Sequence, residues 1–117
     1  MPSIGRHGHS DTGRGRAEVV PGDRTGTSCA GTLSNLVGDH FRSNGLSVAF
    51  NDPYRGGFIT AHHGRPDTGI HAIQIELRRD LYMDERTFTR LPEGVARIRR
   101  VLAELIRALD LFDPRKP

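Results

Sequence analysis

Glu76 is the residue whose type and place most clearly invite chemistry. It lies in the run Ile73-Gln74-Ile75-Glu76-Leu77, where aliphatic residues alternate with polar ones. A carboxylate on a strand covered from both sides is desolvated, which raises its pKa and makes it a general acid or base near neutral pH. The same pattern also fits an edge strand whose polar face meets water, with Glu76 paired to Arg78 two residues on. A second candidate is the loop Asn51-Asp52-Pro53-Tyr54-Arg55-Gly56-Gly57, directly after an alternating apolar stretch, where open α/β sheets place ligand-binding loops. Gly56-Gly57 opens backbone conformations closed to other residues, while Asn51, Tyr54 and Arg55 offer an amide, a phenol and a guanidinium. Arg65, just before Pro66, has the geometry to hold a carboxylate through two parallel hydrogen bonds. An ordinary tight turn with exposed arginines fits the same residues. It is no phosphate loop, because no Gly-Lys-Ser/Thr follows.

The histidines suggest no self-contained metal site. His62 and His63 are adjacent and point apart on an extended chain, while His7 and His9 sit in a glycine-rich stretch. No His-Glu-x-x-His pattern occurs. A single cysteine, Cys29, excludes an intramolecular disulfide and reads as a small buried apolar residue.

The elements that must position these residues follow from periodicity. Residues 1–16 carry four Gly, three Arg and two His and read as a flexible loop. Ala17 to Val20 has the pattern of a short strand that stops at Pro21-Gly22. From Cys29 to Ser43, Leu33, Leu36, Val37, His40 and Phe41 recur at spacings of three and four, which predicts an amphipathic helix. Thr27 or Ser28 would cap its start and Asn44-Gly45 its end. Leu46 to Phe50 alternates as a strand, residues 51–69 read as a long loop, and Ile70 to Leu77 is the clearest strand. Parity places Ile73, Ile75 and Leu77 on one face, with His71, and Glu76 on the other. Pro92 to Phe112 predicts a surface helix with a stripe of Ile98, Val101, Leu102, Leu105, Leu109 and Phe112. Residues 17–113 thus form one domain and 114–117 a tail.

Composition narrows the function classes. The 17 Lys+Arg against 14 Asp+Glu leave a charge of +3 in 117 residues. All but one of the basic residues are arginine, spread along the chain and not interleaved with aromatics, so the pI near 9.7 does not point to nucleic acid. No apolar run is long enough to span a membrane and the N-terminus lacks the apolar core of a signal peptide, so the chain reads as soluble and cytoplasmic.

Four ordered blocks carry a family resemblance. They are Phe50 through Thr60, His63-Gly64-Arg65-Pro66, Gly69 through Leu77, and Leu81 through Glu85, preceded by Gly22-Asp23-Arg24 and Ser28-Cys29. Together they resemble the N-formylglutamate amidohydrolase family over most of the chain. The resemblance implies a hydrolase that cleaves N-formyl-L-glutamate, or a related N-acyl amino acid, to formate and glutamate, the closing step of one route of histidine degradation. It implies an α/β fold, the C-terminal half of a zinc carboxypeptidase-like mixed sheet with flanking helices. It further implies a divalent metal, zinc, whose ligands lie largely in a missing N-terminal half, so that this chain holds no complete metal site. Glu76 falls at the place of the family's general base and acid, and Asn51, Tyr54 and Arg65 would orient the substrate. A halved parallel sheet exposes an edge, so the chain is expected to self-associate or to need that other half. The alternative is a catalytically dead remnant that serves as a binding or interaction domain.

Overall fold

A computed structural model describes residues 1–116; Pro117, the end of the expected tail, lies outside the described residues. Strand β1 (Val19–Gly22) is buried along its whole length. It runs antiparallel to β2 (Gln74–Leu77), with Val20 opposite Glu76 and Gly22 opposite Gln74. The mixed sheet implied by the resemblance is reduced to these two antiparallel strands. The expected strand at 46–50 lies along the other edge of β1 in parallel, but shrinks to one bridge between Val19 and Val48. Val19 N–H donates to Ser47 O at 2.9 Å, Ala49 N–H to Val19 O at 3.1 Å and Asn51 N–H to Pro21 O at 2.9 Å. The next rung would need an N–H from Pro21, which has none. The same proline does not end β1, because Pro21 turns its missing donor away from β2.

Helix α1 (Gly31–Ser43) starts later than the cap residues Thr27 and Ser28 suggested. Ser28 is diverted: its hydroxyl donates to Ala72 O at 2.7 Å and its carbonyl accepts Ala72 N–H at 3.0 Å. Ala30 precedes the helix instead, its N–H donating to His71 Nδ1 at 3.0 Å. The C-terminus follows expectation. Gly45 adopts a φ of +78°, and the amides of Gly45 and Leu46 close back on Arg42 O and Phe41 O. Arg97 of helix α3 (Pro92–Asp110) donates to Asn44 O at 2.9 Å, finishing the same end. Leu33, Val37 and Phe41 of α1 meet Ile98, Val101 and Leu105 of α3 and Val19 of β1 in the core, with Ile73, Ile75 and Leu77 packed against it. The 3.6-residue stripe thus faces the strands as read. The stretch 51–69 is more ordered than a loop, holding the short helix α2 (Phe58–His63) and a 3₁₀ turn at Pro66–Thr68. No helix among the described residues is long and apolar enough to cross a membrane.

The N-terminal segment is irregular but tied down. Gly5 N–H donates to Arg14 O and Gly13 N–H to Gly5 O, and the Arg16 guanidinium grips Asp11 at 2.7 Å with both side chains 1% exposed. Met1 N–H donates to Leu77 O and Arg79 N–H to Met1 O, so Met1 sits against the free edge of β2. Ser3 gives both its amide and its hydroxyl to Glu85, which also accepts from Arg79 Nε at 2.9 Å. Burial opposes the Glu85 charge, but the Ser3 and Arg79 hydrogen bonds outweigh it and bring its pKa from 4.5 down to about 2.

Two consequences are measurable. A Cβ at Gly22 would sit 2.7 Å from Arg55 C and Gly56 N, so Gly22→Ala should lower stability to urea by about 1–3 kcal/mol as the 55–56 backbone is pushed away. Folding releases the Glu85 proton, so its contribution is complete above about pH 4.5 and lost as pH falls toward 2. Thermal midpoints should therefore drop with acidification across this window, and Glu85→Gln should flatten that slope.

Candidate functional site

The two faces of β1 and β2 are dressed differently, and this decides where the polar residues go. Alternation turns Ile73, Ile75 and Leu77 to the helices, as parity predicted, and Gln74 and Glu76 to the opposite face with Val20 and Gly22. Backbone of the 51–57 loop covers that face. Gly22 permits its approach, Arg24 N–H donates to Arg55 O at 2.8 Å, and Arg24 Nη1 donates to Gly56 O at 3.0 Å.

Glu76 is half-buried there. Its Oε1 accepts Gln74 Nε2 at 3.1 Å, and Gln74 Oε1 accepts Gly57 N–H at 3.2 Å, so Gln74 links the carboxylate to the loop. The pairing of Glu76 with Arg78 does not form. Arg78 turns instead to Asp80, at 2.7 and 2.9 Å, and to Arg16 O at 2.7 Å. Among the described residues Glu76 therefore carries a single side-chain hydrogen bond, which leaves its second oxygen open to a proton donor or acceptor.

Asn51 fixes the start of the loop. With a φ of +60°, it donates from Nδ2 to Asp23 Oδ1 at 2.8 Å and accepts at Oδ1 from the amides of Asp23 and Thr25 at 3.1 and 3.2 Å. Asp23 also accepts Ser34 Oγ at 2.7 Å and Gly26 N–H at 2.8 Å. Burial raises the cost of its charge, but these hydrogen bonds prevail and hold its carboxyl below the ordinary range. Sequence reading missed Asp23 as a hub; its only signal was membership in the block Gly22-Asp23-Arg24.

Tyr54 is half-buried beneath the Arg16 guanidinium, 5.1 Å from the ring centre, and faces a cavity that also meets Arg79. Asn51 and Tyr54 thus stand on one loop, and Glu76 on the strand that this loop's Gly57 reaches through Gln74. Arg65 stands apart: its backbone exchanges hydrogen bonds with Ile70 and its side chain is exposed, with no hydrogen bond to the other three. Cys29 is buried with Sγ 3.3 Å from Ser34 Oγ, and burial pushes its thiol pKa up, which suits the packing role read from sequence. His62 stacks on Phe58 with ring centres 5.0 Å apart, and His62, His63, His7 and His9 are all exposed. Among the described residues, no three of His, Cys, Asp and Glu come together as a metal-holding group.

Comparison with known proteins gives the chain a family. A family model described as N-formylglutamate amidohydrolase matches residues 1–83, a span that contains Asn51, Tyr54, Arg65 and Glu76. Over 90 residues the chain is 34% identical to N-formylglutamate deformylase of Pseudomonas aeruginosa and 37% identical to that of Pseudomonas putida. Each alignment covers 75% of this chain and 34% of the relative. The crystal structure of N-formylglutamate amidohydrolase from Ralstonia eutropha matches with a TM-score of 0.73 and 39% identity, over 83% of this chain and 35% of that one. The chain spans about a third of the length of these relatives, a smaller share than the half that the resemblance implied. With a family match over most of its length and the same fold in a solved relative, the chain belongs to the N-formylglutamate amidohydrolase family.

Proposed function

We propose that this chain supplies the acid/base carboxylate and part of the substrate pocket of a hydrolase acting on the amide of N-formyl-L-glutamate or a related N-acyl amino acid. The observation that carries this reading is the family match across residues 1–83, together with a half-buried Glu76 tied through Gln74 to the 51–57 loop. Glu76 takes a proton from water as the water oxygen bonds to the formyl carbon. The same proton passes to the departing nitrogen as the C–N bond breaks, leaving formate and glutamate. Tyr54 and Arg65 orient carboxylate or carbonyl groups of the substrate, and Asn51 acts by holding the loop on which Tyr54 stands.

The zinc that the resemblance implies does not fit the donors of this chain alone: the described residues bring no three of His, Cys, Asp and Glu together. A zinc carboxypeptidase-like sheet would contain the 46–50 segment, β1 and β2 as neighbours, and the free edge of β2 would favour self-association or a further strand. A second reading, a binding domain without catalysis, draws on that incomplete donor set.

The test is a chimera in which this chain replaces the matching third of the Ralstonia eutropha enzyme, assayed for formate release from N-formyl-L-glutamate. Turnover is expected, with Glu76→Gln cutting it by about 10²–10⁴-fold while the circular dichroism spectrum is unchanged. Near-normal turnover by the Glu76→Gln chimera would remove Glu76 from catalysis. A folded chimera with no turnover would favour the binding domain.

A further inference from the structure

Beside the C-terminal end of β2, a cavity of about 240 Å3 opens between the N-terminal segment and the 51–57 loop. It is lined by Pro2, Arg6, His9, Arg16, Tyr54 and Arg79, with no acidic residue among them. The three arginines differ in what they have left to give. Arg16 uses all three of its nitrogens within the protein: Nε and Nη2 go to Asp11 at 2.7 and 3.0 Å and Nη1 to Pro2 O at 3.4 Å, so it serves as a wall against Tyr54. Arg79 commits only Nε, to Glu85, and among the described residues its two terminal nitrogens make no hydrogen bond. Arg6 is exposed and makes no ion pair among the described residues. Asp11 and Glu85 balance Arg16 and Arg79 from outside the cavity lining, so the Arg6 charge and the His9 ring are unmatched on its surface.

Unspent guanidinium donors around a small pocket match the lone pairs of a carboxylate. The volume is below the roughly 300–1,000 Å3 of sites for drug-sized molecules, and suits one arm of an amino-acid-sized ligand. We propose that this cavity is a carboxylate subsite, in which Arg6 and the terminal nitrogens of Arg79 grip one carboxylate of a dicarboxylic N-acyl amino acid while Tyr54 and Arg16 wall it in. The identity of the ligand rests on the amidohydrolase reading above; the anion site itself rests on the cavity.

The test titrates the 117-residue chain with glutarate and with its uncharged diamide, glutaramide, read by backbone amide shifts. Glutarate should give saturable shifts at Arg6, Tyr54 and Arg79, and glutaramide none. Arg6→Gln and Arg79→Gln should each weaken glutarate binding about tenfold or more. Arg79→Gln also breaks the Glu85 pair, so Arg6→Gln, at an exposed and unpaired position, is the decisive variant. The proposal is overturned if glutarate binds no better than glutaramide, or if the Arg6→Gln chain binds it as the parent does. In the chimera, KM for N-formyl-L-glutamate should rise with Arg6→Gln; turnover with an unchanged KM would sink the subsite and leave the hydrolase standing. Glutarate binding lost with Arg6→Gln, alongside a chimera that releases no formate, would sink the hydrolase and leave the subsite.

Discussion

A buried carboxylate, Asp23, ties together the parts on which the site is built, and without it the loop over Glu76 has no fixed start. Only 7% of Asp23 is exposed, so every lone pair it keeps needs a donor. It finds them in three separate pieces of the chain: Gly26 in its own turn, Ser34 in the first turn of α1, and Asn51 at the head of the loop. Asn51 returns the contact by accepting the amides of Asp23 and Thr25. This reciprocal clasp fastens the end of β1 to the start of the loop, and Arg24 fastens the loop's far part at Arg55 and Gly56.

The rest of the site follows from what β1 can tolerate on each side. Its Val19 face is filled by the two long helices, so the opposite face is left to irregular segments that carry the polar groups. Gly22 lets loop backbone lie directly on the sheet, and Gln74 bridges that backbone to Glu76. The N-terminal segment closes the end of the same sheet through the Asp11–Arg16 pair and the Ser3–Glu85 clasp. A hydrolase site on this face would draw its carboxylate from the strand and its substrate contacts from the loops, which is the division of labour that open α/β sheets favour.

Local periodicity made the two long helices and the facing of β2 legible, but not α2, which lies in a stretch read as loop. The three-and-four spacing of Leu33, Val37 and Phe41, and of Ile98, Val101 and Leu105, is set within one element, and so is the alternation that separates Ile75 from Glu76. What could not be read depends on partners far along the chain. Ser28 looked like a helix cap until Ala72 claimed both its hydroxyl and its carbonyl. The 46–50 strand looked complete until its neighbour proved to be Pro21. Asp11 and Arg16 lie in a glycine- and arginine-rich stretch that reads as solvated, yet each neutralises the other well enough to be buried. Among the site residues, Glu76 and Tyr54 stood out by type, whereas Asp23, whose partners lie 11 and 28 residues away, did not.

The loop over Glu76 hangs on the Asp23–Asn51 clasp, and a double-mutant cycle of Asp23→Ala and Asn51→Ala, followed by urea denaturation, measures it. If the two side chains hold the loop together, the effects are strongly non-additive, with a coupling of about 1–3 kcal/mol. Additive effects, within about 0.5 kcal/mol, would show that the loop keeps its place over Glu76 by other means and would contradict the account.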